Sequence, residues 1–291
     1  MTGSEAEQIR IQRAEGTSFT VTIRAGAPDA PVVLVLPAMG AQAGYYGKLA
    51  AALHEAGFSV AVTELRGHEE SGGRRPSRTY DFGYADLVDD LDRAVRTVAE
   101  QLPGAPIHLL GHSLGGHLGA VYAAAHPTAL AGLMLVASGS VWWRLWNRRM
   151  YGVGLVIDAL SRLLGYFPGH RVGFAGREAR TQMADWCRFN RTGRLEFGRP
   201  PANHDPAIAA VQVPVLGVSF EGDSFSPPRA LGGLLAKFPH APVSRIHVGA
   251  GLDEPPGHMR WARRPGLVVG YLASWIGNQT PEPAHTGGDH G

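Results

Sequence analysis

Cysteine is almost absent from this chain, and neither sign of charge is in clear excess. The single Cys187 in 291 residues excludes an intrachain disulfide framework and a cluster of thiolate metal ligands. The 27 Lys and Arg exceed the 25 Asp and Glu by only two, which gives no sign of nucleic-acid binding. The first ten residues lack a basic segment followed by an apolar one, so we expect no secretory signal and predict a cytoplasmic protein.

Charge is missing altogether from residues 101–143, a stretch of 43 residues without Asp, Glu, Lys or Arg. Three prolines and four histidines interrupt it, and no segment reaches the ~18 consecutive apolar residues of a membrane-spanning helix. We therefore expect no stable membrane insertion. The stretch is interpreted as a strand–helix–strand unit at the centre of a parallel sheet, covered on both faces.

Motifs of metal-dependent proteolysis and nucleotide binding are also missing: there is no H-E-x-x-H, no Walker A and no strand-linked G-x-G-x-x-G. His108, His112 and His117 belong in turn to a predicted strand, turn and helix, so they share no face and are expected to be structural. We predict no metal and no cofactor. Cys187 is expected to be an inert, packed thiol.

Short apolar runs alternate with helical periodicities along most of the chain, and no internal repeat is present. Segments 8–14 and 18–24 alternate in polarity and predict an opening hairpin. The alternation that follows is typical of an α/β fold with a mostly parallel central sheet flanked by helices. The further predicted strands are 31–36, 58–63, 107–110, 130–137, 213–220 and 243–248, and the predicted helices are 45–56, 84–101, 114–125, 228–238 and 261–276.

Residues 139–205 interrupt this order after the sixth strand and carry helical patterns of their own, which predicts an inserted helical cap. They hold 11 Arg and five acidic residues, a net charge of +6, whereas the remainder has 16 basic and 20 acidic residues, a net of −4. Trp142, Trp143 and Trp146 either seal this cap to the core or line an apolar pocket. The predicted division is core (1–138), cap (139–205), core (206–278) and a disordered polar tail (279–291).

Residues 111–115, G-H-S-L-G, satisfy the G-x-S-x-G pattern between a predicted strand and a predicted helix. A sharp turn at this place strains the serine backbone and needs small neighbours, which Gly111 and Gly115 supply. The turn would place the Ser113 hydroxyl beside the first N–H groups of the helix, where negative charge is favoured. Ser113 is therefore predicted to be a nucleophile.

A serine hydroxyl needs a base to take its proton and a third group to orient that base. On this type of fold the partners are expected at later strand ends in the order serine, acid, histidine. Asp223 follows the seventh predicted strand and His258 lies in the loop after the eighth, whereas His240 and His247 precede that loop. Other acids remain open as alternatives to Asp223: Asp205, Glu221, Asp253 and Glu254.

These residues resemble the α/β-hydrolase superfamily, and within it the serine hydrolases related to monoacylglycerol lipases and serine aminopeptidases. The resemblance extends over residues 9–276. Residues 111–116 match the nucleophile elbow of the family, and residues 257–258 match its terminal histidine segment. Residues 64–71, E-L-R-G-H-E-E-S, resemble its Asp-x-Arg-Gly-x-Gly-x-Ser loop, and residues 36–40, L-P-A-M-G, stand in the place of its His-Gly-x-x-Gly oxyanion turn.

The resemblance implies an oxyanion hole built from the backbone N–H groups of Met39 and Leu114. The sequence departs from the family pattern at two places. Pro37 and Ala38 replace the His-Gly pair, and Glu69 replaces the second loop glycine.

The combined pattern predicts a capped α/β-hydrolase that cleaves carboxylic esters or thioesters through an acyl-enzyme. Ser113 would attack the acyl carbon, His258 would accept its proton and Asp223 would hold the imidazole. Two alternatives use the same residues: acyl transfer to an alcohol or amine, and cofactor-free haloperoxidase-type chemistry. A non-catalytic ligand-binding protein is an alternative of another class, because fold does not determine function. The basic cap adds the hypothesis that the acyl substrate carries an anionic group.

Overall fold

The computed structural model describes residues 5–70, 72–249 and 255–279, and eight strands within these residues form one sheet. Asp253, Glu254 and the predicted tail beyond residue 279 lie outside the described residues. In chain order the strands are β1 (Glu7–Gln12), β2 (Ser18–Arg24), β3 (Val32–Leu36), β4 (Ser59–Thr63), β5 (Ile107–His112), β6 (Gly132–Val136), β7 (Tyr166–Pro168), β8 (Arg177–Ala179), β9 (Glu196–Phe197), β10 (Ala202–Asn203), β11 (Val215–Phe220) and β12 (Val243–Val248).

The order across the large sheet is β1-β2-β4-β3-β5-β6-β11-β12. From β4 to β12 along that order every pair is parallel, while β1 and β2 form the predicted antiparallel hairpin and β2 pairs antiparallel with β4. Every residue of β3 to β6 and of β11 is buried, as expected for strands covered on both faces. The predicted mostly parallel sheet is therefore confirmed.

Helices cover both faces of this sheet. Alternate residues of β3 point to opposite faces, with Leu34 in one apolar cluster and Val35 in the other. No helix among the described residues has the length and apolar character needed to cross a membrane. The helices are α1 (Gly47–Glu55), α2 (Tyr84–Gln101), α3 (Leu114–Ala125), α4 (Arg148–Leu164), α5 (Arg180–Thr192), α6 (Asp205–Ala209), α7 (Pro228–Leu235) and α8 (Gly266–Gly277).

Two predicted helices differ from the observed ones at their N-terminal ends. The helix predicted over 45–56 begins as a 3-10 turn before α1. The helix predicted over 261–276 is split into a 3-10 turn, Arg260–Arg263, and α8. Pro265 explains the split, because a proline has no N–H to donate and disfavours helical backbone in the residue before it.

The elements α4 to α6 and β7 to β10 lie between β6 and β11, so the chain carries an insertion after its sixth strand as predicted. The helices α4 and α5 pack on each other. Polar contacts join the start of α5 to the core: the Asp81 carboxylate accepts the Thr181 N–H and hydroxyl at 2.8 and 2.7 Å. The boundaries of a cap at residues 139 and 205 stay a prediction.

Glu69, which replaces the second glycine of the family loop, belongs to a buried ion-pair cluster. Its carboxylate accepts hydrogen bonds from Arg13 Nη1 at 2.7 Å and from the Gly67 N–H at 2.8 Å. Arg13 and Arg66 both also bind the Asp90 carboxylate. Arg66 has a further partner in Glu15 at 2.8 Å, so the departure from glycine supplies Arg13 with its second carboxylate beside Asp90.

Candidate active site

Ser113 lies at the turn between β5 and α3 with a backbone φ of 54°, a value that non-glycine residues rarely adopt. The turn brings segments very close together: a Cβ on Gly111 would lie 2.5 Å from the Gly115 backbone, and one on Gly115 would lie 2.4 Å from the Leu36 carbonyl oxygen. Glycine is thus required at both positions. Ser138 Oγ donates to the Ser113 carbonyl at 2.6 Å and helps to hold the strained turn.

The structure brings Ser113, His258 and Asp223 into one hydrogen-bonded chain. His258 Nε2 lies 3.1 Å from Ser113 Oγ, and His258 Nδ1 lies 3.0 and 3.1 Å from the two Asp223 carboxylate oxygens. The Asp223 side chain is fully buried. Because an ionised carboxylate only accepts, Nδ1 carries the proton and the Nε2 lone pair faces the serine hydroxyl. This arrangement suits a nucleophile with an oriented base.

Backbone donors hold the Asp223 carboxylate in this position. The N–H groups of Phe225 and Ser226 both donate to Asp223 Oδ1 at 2.8 Å. Oδ2 accepts neither of these amides and lies 3.0 Å from His258 Nδ1, while Oδ1 lies 3.1 Å from it. The loop after β11 thus supplies both the acid and the two amides that orient it.

The competing acids have other partners. Glu221 Oε2 lies 3.0 Å from His247 Nε2, and Asp205 Oδ2 lies 2.6 Å from Lys237 Nζ. Among the acids that the structure describes, Asp223 is the one hydrogen-bonded to His258. Asp253 and Glu254 lie outside the described residues.

Met39 and Leu114 both line the cavity next to Ser113, as the oxyanion role requires. Leu114 opens α3, and the first N–H groups of a helix have no partner within the helix. Within the described part of the chain, no hydrogen bond occupies the Met39 N–H, whereas the preceding Ala38 N–H donates to Tyr46 Oη at 2.8 Å. Both N–H groups can therefore face a developing negative charge.

His112, which follows Gly111 in the elbow, links the two sides of the site. The His258 carbonyl accepts from His112 Nε2–H at 2.9 Å, which leaves Nδ1 of the neutral ring to accept the Tyr46 hydroxyl at 2.7 Å, and the Tyr46 oxygen accepts the Ala38 N–H. The imidazole is fully buried, and burial holds its pKa well below the ordinary histidine value, so it stays neutral. The sequence predicts only a structural role for His112, and no sequence signal points to Tyr46.

A cavity of about 160 Å³ opens beside Ser113, and no Asp, Glu, Lys or Arg of the described residues lines it. Phe174 and Trp186 reach it from the insertion, and Phe225 reaches it from the Asp223 loop. Trp142, Trp143 and Trp146, which the sequence left open either as a seal between cap and core or as the lining of such a pocket, do not line it. Trp146 instead donates to the Ser140 carbonyl, and Trp142 packs against Gly193. The sequence gives no signal for Phe174, Trp186 and Phe225 as cavity walls, because they come from separate segments that share no periodic pattern.

A serine elbow after β5, with an acid after β11 and a histidine after β12 on a mostly parallel sheet, defines the α/β-hydrolase class of proteins. The comparison with protein families gives the finer assignment. The family model described as serine aminopeptidase, S33, matches residues 27–185, more than half of the chain. The chain therefore belongs to this family of α/β-fold hydrolases.

Two curated proteins are similar to part of this chain. The monoglyceride lipase of Rattus norvegicus is 35% identical over 112 residues, which are 38% of this chain and 36% of the lipase. The monoacylglycerol lipase of Mycolicibacterium smegmatis is 31% identical over 134 residues, 46% of this chain and 44% of that protein. The matched segment thus spans less than half of either curated relative.

A solved structure described as the DcsB complex with its substrate analogue aligns with a TM-score of 0.68 at 16% identity, covering 95% of this chain and all of that one. The thioesterase domain from the curacin biosynthetic pathway aligns with a TM-score of 0.60 at 19% identity, over 94% of this chain and all of that domain. At such identities the likeness concerns the fold alone.

Proposed function

We propose that this protein is a serine hydrolase that cleaves carboxylic esters or thioesters. The observation that carries the proposal is the hydrogen-bonded chain from Ser113 Oγ through the His258 imidazole to the Asp223 carboxylate. A pure ligand-binding protein has no need of a strained serine with an oriented base. The names of the rat and mycobacterial relatives, both lipases of monoacylglycerols, favour an ester as substrate.

The first half of the proposed reaction forms the acyl-enzyme. Ser113 Oγ attacks the acyl carbon while His258 Nε2 takes the hydroxyl proton, and the Asp223 carboxylate stabilises the imidazolium. The N–H groups of Met39 and Leu114 bind the oxyanion of the tetrahedral intermediate. His258 then gives its proton to the leaving alcohol or thiol as the bond from the acyl carbon to that oxygen or sulfur breaks.

The second half releases the acid by the same route. His258 Nε2 removes a proton from water, and the hydroxide oxygen attacks the acyl carbon of the Ser113 ester. Collapse of the second tetrahedral intermediate breaks the bond to Ser113 Oγ, which takes the proton back from His258. The carboxylic acid leaves, and the enzyme returns to its starting state with no metal or cofactor used.

The cavity beside Ser113 favours a short, neutral acyl group. Its volume of about 160 Å³ is close to that of an engineered apolar cavity of ~150 Å³ that binds benzene, so about six carbon atoms fill it. Phe174 and Trp186 close it from the insertion, which supports the proposal that residues 139–205 act as a cap over the site. Esters of acids up to about hexanoate are the proposed substrates.

A fluorophosphonate probe tests this function, because it forms a covalent bond only with an activated serine. Wild-type protein should be labelled and should hydrolyse p-nitrophenyl butyrate, whereas Ser113→Ala should lose both properties. Ser244→Ala, at an exposed position of the edge strand β12, serves as the matched control and should keep both. Equal labelling of a folded Ser113→Ala variant would exclude the proposed mechanism.

A further inference from the structure

A wide groove runs outside the acyl cavity, along His258. The part beside the histidine has a volume of about 820 Å³, and its walls include Met259 and Arg263. A second part of about 750 Å³ shares Met259 and Arg263 and extends between the core and the insertion to Arg75 and Arg177. We call the two parts together the basic groove.

Among the described residues, three arginines of the basic groove have no carboxylate partner. In the part of the chain that the structure describes, no carboxylate lies within 4 Å of a guanidinium nitrogen of Arg75, Arg177 or Arg263. Glu70 is the carboxylate on the wall, and it accepts the Gly44 N–H at 2.7 Å. Other arginines of the insertion do reach carboxylates: Arg162, Arg180, Arg188 and Arg191.

Aromatic rings hold two of these guanidinium groups in place. Arg177 Cζ lies 3.7 Å from the centre of the Tyr166 ring, and Arg177 Nε donates to the Pro76 carbonyl at 2.7 Å. Arg263 Cζ lies 5.3 Å from the centre of the Tyr45 ring. A stacked guanidinium keeps its N–H edges free for an anion and loses less conformational freedom on binding.

The chemistry of the site determines which half of the substrate meets this groove. The neutral cavity takes the acyl group, and His258 Nε2 has to protonate the leaving oxygen or sulfur. The leaving group therefore lies against the imidazole of His258, which lines both the cavity and the groove. An alcohol or thiol longer than a few atoms extends from there toward Arg263.

We propose that the basic groove binds a phosphate group on the alcohol or thiol half of the substrate, an inference that rests on the hydrolase function proposed above. Arg263 and Arg75 come from the core and Arg177 comes from the insertion, so the phosphate would lie between the core and the insertion. A phosphate offers three oxygens to guanidinium forks, which form charge-assisted and often bidentate hydrogen bonds with it. The sequence suggested that the basic cap binds an anionic group of the substrate. The groove proposal keeps the anionic group but gives it a site with arginines from both the insertion and the core.

The test compares two esters with the same acyl group: the butyric monoester of glycerol and that of glycerol 3-phosphate. Wild-type protein should hydrolyse the phosphorylated ester with about tenfold higher kcat/KM, mainly through a lower KM, and the preference should shrink as NaCl is raised. The double variant Arg177→Gln/Arg263→Gln should reduce the ratio of the two kcat/KM values to near one. Arg162→Gln, at an exposed arginine of α4 outside the groove, is the matched control and should keep the wild-type ratio.

Equal kcat/KM for the two esters in wild-type protein, or a preference that survives in the double variant, would overturn the groove inference while leaving the hydrolase function intact. Failure of the hydrolase function looks different, because then neither ester is cleaved and no fluorophosphonate label appears. In that case calorimetry with Ser113→Ala decides the groove question. Binding of glycerol 3-phosphate but not glycerol, lost in Arg177→Gln/Arg263→Gln, supports it, and absence of binding refutes it.

Discussion

Replacing Asp223 with asparagine should disable the proposed base while keeping the shape of the site. The Phe225 and Ser226 N–H groups both donate to Oδ1, so the amide oxygen of the variant should take that position. The NH₂ group then takes the place of Oδ2, the nearer oxygen to His258 Nδ1 at 3.0 Å, while the amide oxygen 3.1 Å from Nδ1 already accepts two N–H groups. Because two donors cannot face each other, the imidazole changes to the tautomer with its proton on Nε2. That proton points at Ser113 Oγ, and His258 can no longer accept the serine proton.

The expected loss is large because the tautomer change removes base catalysis altogether. The corresponding exchange in a serine protease lowers kcat about 10⁴-fold, which equals about 5 kcal/mol of transition-state stabilisation. We expect a similar fall in kcat/KM for p-nitrophenyl butyrate, measured beside circular dichroism to show that the variant is folded. The rate of fluorophosphonate labelling should fall with it, since it also depends on the activated serine.

The chain offers a matched control two residues away. Glu221 forms a carboxylate–imidazole pair with His247 at 3.0 Å that does not include Ser113, so Glu221→Gln should stay within about twofold of wild type. A folded Asp223→Asn variant within tenfold of wild-type activity would refute the tautomer argument. A large loss in Asp205→Asn, Asp253→Asn or Glu254→Gln instead would assign the acid elsewhere and leave Ser113 and His258 in their roles.

Three further predictions follow from single contacts. Phe174→Ala should open the acyl cavity and raise activity on octanoate relative to butyrate esters, by up to about fourfold for each methylene that finds room, whereas Val172→Ala in the same loop should not. Tyr46→Phe leaves the Ala38 N–H without its partner and should lower the free energy of unfolding by about 1–3 kcal/mol in urea titrations, unlike an exposed Tyr151→Phe. Burial lowers the pKa of His117 to about 4, so the unfolded state binds its proton first as the pH falls below 6.5. Stability should therefore decrease from pH 6.5 to 4 by roughly 3 kcal/mol from this group, and His117→Gln should remove this share of the pH dependence in pH-resolved unfolding, while the buried His108 and His112, whose pKa values burial also lowers, keep theirs.

The order of strands and helices was predictable because it depends on short-range patterns. Runs such as β3 are apolar at every position, and the turn at Ser113 is marked by two glycines at positions where a Cβ would clash. The prolines and histidines in residues 101–143 also indicate that the uncharged β5-α3-β6 unit is a buried part of the sheet and not a membrane-spanning helix. The start of α8 was mispredicted by periodicity alone, although Pro265 marked it.

Tertiary structure alone decided which distant residues meet. Several acids stood near predicted strand ends, and only the folded loop after β11 directs Asp223 rather than Glu221 at His258. The bridge through His112 to Tyr46 joins residues 66 positions apart, and the acyl cavity takes Phe174 from a segment with no periodicity. Composition established that the insertion is basic, but the positions of its guanidinium groups depend on how the insertion packs against the core. Local periodicity determines the faces of helices and strands, whereas the geometry between elements depends on long-range packing that no short stretch of sequence contains.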